Sequence, residues 1–203
     1  MTQQFDTVTE LTSVNSILAS IGQSPITRLN MANPEVSFAY QLLMESNLDT
    51  QNEGWVFNTE DHYPLEPLES GKIYYPSNVL RMDLCDEPVL RNTDVVKRGD
   101  YLYNKLEHTD IWTRTVYADM TWKLTYDDLP QTFQRYITAR AATRAGTQMV
   151  SNPSLMKMLQ QTEAGLRAAC IEYECNQGDY TFFGTPHHTA YQPFQPYRML
   201  DRR

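Results

Sequence analysis

The amino-acid sequence predicts an α+β fold: a four-helix bundle with an inserted antiparallel β subdomain and an extended C-terminal arm. Three observations lead there. Apolar residues recur at helical spacing in two segments before residue 54 and in two more after residue 128. Between them the chain turns to Tyr, Val, Thr and Trp in short runs broken by polar turns. After residue 178 periodicity gives way to prolines and aromatics. The predicted boundaries are 1–54 with 128–178 for the bundle, 55–127 for the β subdomain and 179–203 for the arm. Two helices, an insertion and two closing helices let each helix bury one apolar stripe.

The first predicted helix opens on Thr7-x-x-Glu10, a capping-box pattern, and carries Leu11, Val14, Ile17, Leu18 and Ile21 on its inner face. Gly22 suits a left-handed C-cap and Pro25 blocks continuation. The second opens on Asn33-Pro34, an N-cap followed by a proline where no N–H is needed. Its stripe is Val36, Ala39, Tyr40 and Leu43, and it ends before Gly54.

Candidate strands follow at Trp55–Asn58, Lys72–Tyr75, Val79–Leu84, Val89–Arg91, Val95–Lys97, Asp100–Tyr103 and Thr115–Leu124. The stretch around Pro64, Pro67 and Gly71 reads as a loop. The third helix starts after Asp127-Asp128-Leu129-Pro130, where acidic residues and a proline favour an N-terminus. Phe133, Ile137, Ala141, Ala145 and Met149 form its stripe, with Arg135, Arg140 and Arg144 elsewhere on the wheel. The fourth opens on Asn152-Pro153, turns Leu155, Leu159, Thr162, Leu166, Cys170 and Tyr173 inward and ends at Gly178. The arm's aromatics need burial. Two placements provide it: docking on a partner and folding back over the bundle.

Composition narrows the function classes. A net charge of −8 without a Lys/Arg run argues against duplex-DNA binding but suits a channel wall to which DNA does not adhere. Cys85, Cys170 and Cys175 are odd in number and lack a C-x-x-C, which points to reduced thiols and no disulfide framework. The N-terminus lacks the basic and apolar regions of a signal peptide, and no apolar run has the length of a membrane span.

No nucleotide-binding, zinc-protease or nucleophile-elbow motif is present. His62, His108, His187 and His188 are the only histidines; the adjacent pair reads as surface residues and no metal site or cofactor is expected. Arg98-Gly99-Asp100 spells an adhesion tripeptide, but its position between two short apolar runs reads as a hairpin turn. Asp127 and Asp128 read as helix-start residues. The enzyme alternative is a small hydrolase using either aspartate or a histidine, and no catalytic residue is assigned. The other alternative is a monomeric protein-binding module acting through its aromatic tail.

Four segments together resemble the tail tubular protein A family of short-tailed phages, the head-to-tail adaptor or gatekeeper. They are Val14-Asn15-Ser16-Ile17-Leu18-Ala19-Ser20-Ile21-Gly22 with Pro25, Gly54-Trp55-Val56-Phe57-Asn58-Thr59-Glu60, Asp128-Leu129-Pro130-Gln131-Thr132-Phe133-Gln134-Arg135-Tyr136-Ile137, and Cys170-Ile171-Glu172-Tyr173-Glu174 with Gly178-Asp179-Tyr180. Their order and spacing carry the resemblance over about residues 8–180. It is weakest between Glu66 and Asp119, and the arm departs from the pattern.

The resemblance implies a structural virion protein of the head–tail junction, made in the bacterial host cytoplasm, and not an enzyme. It implies a twelve-subunit ring around the DNA path, with a portal on one side and the nozzle (tail tubular protein B) and tail fibres on the other. DNA would pass without sequence-specific binding, and no membrane is involved. Combined with the chain reading, this nominates Tyr180, Phe182, Phe183, Tyr191, Phe194, Tyr197, Arg198, Arg202 and Arg203 as portal-binding arm residues. Tyr74, Tyr75, Arg98, Tyr101, Tyr103 and Trp112 are candidates to face nozzle and fibres, and Arg135, Arg140 and Arg144 to meet a neighbouring subunit.

Overall fold

The computed structural model describes residues 9–85, 93–150 and 152–178. It is a mixed α+β protein with four helices and small antiparallel sheets. Its described residues fall into two compact units, one of residues 9–57 with 124–177 and one built on residues 58–123.

In the first unit, α1 (Glu10–Ser20), α2 (Pro34–Gln51) and α3 (Gln131–Met149) pack on one another. Val14, Ile17, Leu18, Val36, Ala39, Leu42, Leu43, Ile137, Ala141 and Ala145 form their common core. The α1 cap corrects the sequence reading: the N-cap is Thr9, not Thr7. Thr12 takes the place expected of Glu10, its hydroxyl accepting from the Thr9 N–H at 2.8 Å while Thr9 accepts from the Thr12 N–H at 3.3 Å. Glu10 instead sits in the first turn, where its charge complements the helix dipole. The exit of α1 follows expectation. Gly22 has φ +83°, and the Gln23 and Gly22 N–H groups return to Leu18 and Ala19 in a Schellman pattern.

The two Asn-Pro openings also act as expected. Asn33 Oδ1 accepts from the Glu35 N–H at 3.0 Å, and Asn152 Oδ1 from those of Ser154 and Leu155 at 3.0 and 3.3 Å. The fourth helix, α4 (Pro153–Gly178), contributes less burial than its stripe suggests. Only Cys170 is fully buried, Leu159, Leu166 and Tyr173 are half-buried, and Thr162 is exposed. Met149, expected on the inner stripe of α3, is also exposed.

The second unit holds β1 (Thr59–Leu65), β2 (Val79–Leu84), β3 (Val95–Arg98), β4 (Tyr101–Asn104) and β5 (Val116–Trp122). One antiparallel sheet has the order β1-β5-β2 and the other is the β3-β4 hairpin. Leu65, Ile73, Leu84, Leu102, Trp112, Val116, Ala118 and Met120 form the core. The hairpin turn at Gly99-Asp100 is real: Arg98 pairs with Tyr101, and Gly99 has φ +65° at the first turn position, as a type II′ turn requires.

Three strand expectations change. Val56–Asn58 is a 3₁₀ turn, and the strand begins immediately after it, at Thr59. Residues 72–75 run beside β4 with only an isolated Tyr74–Tyr101 bridge. The expected loop around Pro64 is partly strand, because β1 is an edge strand and tolerates a residue without an N–H. Val89–Arg91 and the arm, 179–203, lie outside the described residues.

Candidate functional site

Three of the four segments that carried the family resemblance converge in the helical unit. Trp55, Phe133, Tyr136 and Cys170 are buried together, with Phe57, Leu166 and Tyr173 against them. Phe133 is the hub: its ring centroid lies 4.9 Å from Trp55, 4.6 Å from Phe57 and 5.7 Å from Tyr173. The Trp55 indole N–H donates to the Thr50 carbonyl at 2.8 Å, so the ring is buried without losing its hydrogen bond. The Glu174 carboxylate accepts from the Val56 N–H at 3.0 and 3.1 Å, tying α4 to the start of the 3₁₀ turn. Burial pushes the Cys170 thiol up to about 11, which keeps it protonated and unreactive. These segments therefore build a joint between chain stretches far apart in sequence.

An ion-pair network runs beside that joint. Arg140 reaches Glu53 at 3.2 Å, and Arg144 pairs with Asp49. Arg167 of α4 grips Glu53 through two nitrogens, at 3.2 and 2.8 Å, and donates to the Tyr136 hydroxyl at 3.0 Å. Hydrogen bonds to Glu53 and Tyr136 hold the Arg167 guanidinium firmly in its charged form. Arg140 and Arg144 thus have partners within their own chain. The network was not anticipated. The available signal was Asp49 and Glu53 at the C-terminal end of α2, where acidic charge opposes the helix dipole unless cations compensate it.

Arg135 is placed differently. It is exposed and lines a groove of about 420 Å³ between α1, α3 and α4. Thr12, Ser13, Ser16 and Ser20 form one wall, and Thr138, Ala139 and Ala142 the floor. Leu159, Thr162 and Leu166 form the α4 wall. The small α1 side chains leave space that α4 does not fill. Beyond the groove, α4 exposes Met158 (67%) and Ile171 (48%), unusual for apolar residues of a helix that packs on a core.

In the β unit, Tyr74 and Tyr101 are exposed and Tyr75 and Tyr103 half-buried. Cations stack on three of these rings: Arg98 at 3.7 Å from the centre of Tyr103, Lys97 at 4.9 Å from Tyr75 and Lys72 at 5.2 Å from Tyr101. Trp112 is the exception among the predicted surface residues. It is 8% exposed, belongs to the β core and donates its indole N–H to the Leu102 carbonyl at 3.1 Å. It is a core residue because its indole N–H finds a partner inside the unit. The predicted arm residues, Tyr180 through Arg203, lie outside the described residues, as do His187 and His188.

The sequence matches the tail tubular protein family over residues 11–180, a range that takes in both units. The chain belongs to the tail tubular protein family. Comparison with curated proteins finds no match. The family assignment makes this a structural component of a phage tail. For a tail tubular protein, the convergence of the signature segments on Phe133 has a direct meaning. Those residues build the joint on which the helices pack. Asp128 fits that view, its carboxylate accepting from the Thr125 hydroxyl at 2.7 Å before α3. No helix among the described residues is long and apolar enough to cross a membrane.

Proposed function

We propose that this tail protein is the ring-forming adaptor joining the portal of a short-tailed phage head to the tail nozzle and fibres, as one of twelve copies around the DNA channel. The observation that carries the reading is the family match across both units. A ring needs two different faces of one subunit to meet and the rotation to close. The solvent-exposed side of α4, with Met158 and Ile171, and the groove lined by Arg135 are the candidates for such unlike surfaces on one compact unit.

In this reading the four helices act together as a bundle directed to the portal. The cation-stacked tyrosines of the β unit face nozzle and fibres, and the aromatic arm, 179–203, anchors on the portal. Twelve arms would make the joint durable even if each bound modestly. The acidic balance, −8 per chain, suits a wall past which DNA must slide.

The test is electron microscopy of the full chain mixed with portal rings, beside a chain truncated before Asp179. The full chain is expected to add a twelve-fold layer under the portal. The truncated chain is expected to keep its helical circular dichroism and lose portal binding. A truncated chain that still co-sediments with portal would refute the arm's role. A full chain that stays monomeric at all concentrations with portal present would favour the binding-module alternative.

A further inference from the structure

We infer that the β unit carries a binding site for a divalent transition-metal ion of the zinc class, formed by His62, Cys85 and Asp119. These residues come from three places in one sheet: the middle of β1, the residue after β2 and the middle of β5. Their ligand atoms all lie within 4.8 Å of one another, and among the described residues no other such group of His, Cys, Asp or Glu occurs.

The local backbone explains how they meet. β1 and β5 stay in register up to Glu60 opposite Met120 and resume at Tyr63 opposite Ala118, so two residues of β1 stand opposite Asp119. His62 is the second of them and has φ +56°, a left-handed conformation that few residues with a Cβ adopt. Such bulges re-aim a side chain, and strained backbone tends to collect where a site has a use for it. Asp119 Oδ1 is the meeting point. It accepts from the His62 N–H at 3.0 Å and from the buried Cys85 thiol at 3.2 Å, and lies 4.0 Å from His62 Nδ1.

The donor set decides the ligand class. Sulfur and imidazole nitrogen with one carboxylate oxygen suit zinc, cobalt or nickel and disfavour magnesium and calcium, which take oxygen. Tetrahedral zinc at about 2.0 Å from N and O and about 2.3 Å from S places these three ligands roughly 3.3–3.5 Å apart. The 3.2 and 4.0 Å separations lie close to that range, and the third, within 4.8 Å, needs a rotation of the half-exposed His62 side chain to reach it. On binding, the S–H bond breaks, the sulfur keeps the electron pair to form the metal–sulfur bond, and the proton passes to water. The arrangement does not suit nucleophilic catalysis, because the carboxylate lies between thiol and imidazole instead of behind the imidazole. The ion would tie edge strand β1 and the end of β2 to central strand β5.

The experiment is titration of the full-length reduced chain with cobalt(II) chloride, followed by zinc chloride competition. Expected is one cobalt per chain, with a near-ultraviolet sulfur-to-cobalt charge-transfer band that zinc abolishes and magnesium does not. Cys85→Ser should remove the band, while Cys175→Ser and the double variant His187→Asn/His188→Asn should leave it unchanged. Should Cys85→Ser fail to fold, His62→Asn decides, since Asn tolerates the left-handed backbone. It should fold and bind cobalt at least about tenfold more weakly. Absence of the band in the unaltered chain, its survival in Cys85→Ser, or cobalt binding unchanged in His62→Asn would each overturn the site. None of these readouts depends on portal or ring formation, so the adaptor reading and the metal site can fail separately.

Discussion

At the scale of single residues, Gln51 shows how a polar side chain becomes part of the backbone pattern. It is fully buried at the end of α2, and its amide meets Leu124 from both sides. Its Oε1 accepts from the Leu124 N–H at 2.7 Å, and its Nε2 donates to the Leu124 carbonyl at 3.1 Å and to Asn47 Oδ1 at 2.8 Å. This supplies what a paired strand would supply where the chain leaves β5 for α3. Gln51→Met keeps the volume and removes every one of these bonds. It should destabilise the chain by about 2–3 kcal/mol, read by urea denaturation, because two backbone groups lose their partner away from water. A cost under about 0.5 kcal/mol would mean that water replaces the amide. Gln51 was not legible in the sequence, since a glutamine near a helix end reads as a solvated residue. The same holds for His62: a bulge has no local signature in Glu60-Asp61-His62, and only the paired strand reveals it. Caps and turns were legible where the chemistry is self-contained, as at Asn33, Gly22 and Gly99.

At the scale of elements, the helical unit depends on how α4 is held, since only one α4 residue is fully buried. Its attachments are the stack around Phe133, the Glu174 contact to Val56, and the grip of Arg167 on Glu53. Glu53 and Arg167 are partly exposed, so that pair contributes modestly, on the order of 1 kcal/mol or less. The ring stack contributes more. Phe133→Ala should cost about 3–5 kcal/mol by chemical denaturation, as for other fully buried phenylalanines. It should also raise hydrogen exchange in α4 more than in α1, because Tyr173 and Trp55 lose their common partner. Uniform loss of protection across the helices would show that α4 is not separately held. The helices themselves were legible from period and caps. The weak burial of α4 was not, because Leu155, Leu159, Thr162, Leu166, Cys170 and Tyr173 have the spacing of an inner face whether or not the neighbours come close. In the β segment, Thr59-Glu60-Asp61-His62-Tyr63-Pro64-Leu65 hid a strand because an edge position tolerates charge and proline that a central strand would reject.

For the molecule as a whole, the insertion enters and leaves through paired strands. Thr59 stands opposite Thr121, and the Asn58 side chain donates to the Trp122 carbonyl at 2.9 Å, so the two ends of the β unit lie side by side. An insertion with adjacent ends closes its own loop and leaves the host chain only a short gap to bridge. The helical unit keeps its own core, aromatic joint and ion pairs without any residue from 58 to 123. Replacing Asn58–Lys123 with a short Gly-Ser linker between Phe57 and Leu124 should therefore leave a helical protein that melts cooperatively. The proposed division of labour adds a second expectation: this shortened chain binds portal rings and no longer recruits the nozzle. The two readouts separate two ideas. Loss of the cooperative transition would show that the units depend on each other for folding. A folded shortened chain that still recruits the nozzle would instead move that contact from the tyrosine face of the β unit to the helices.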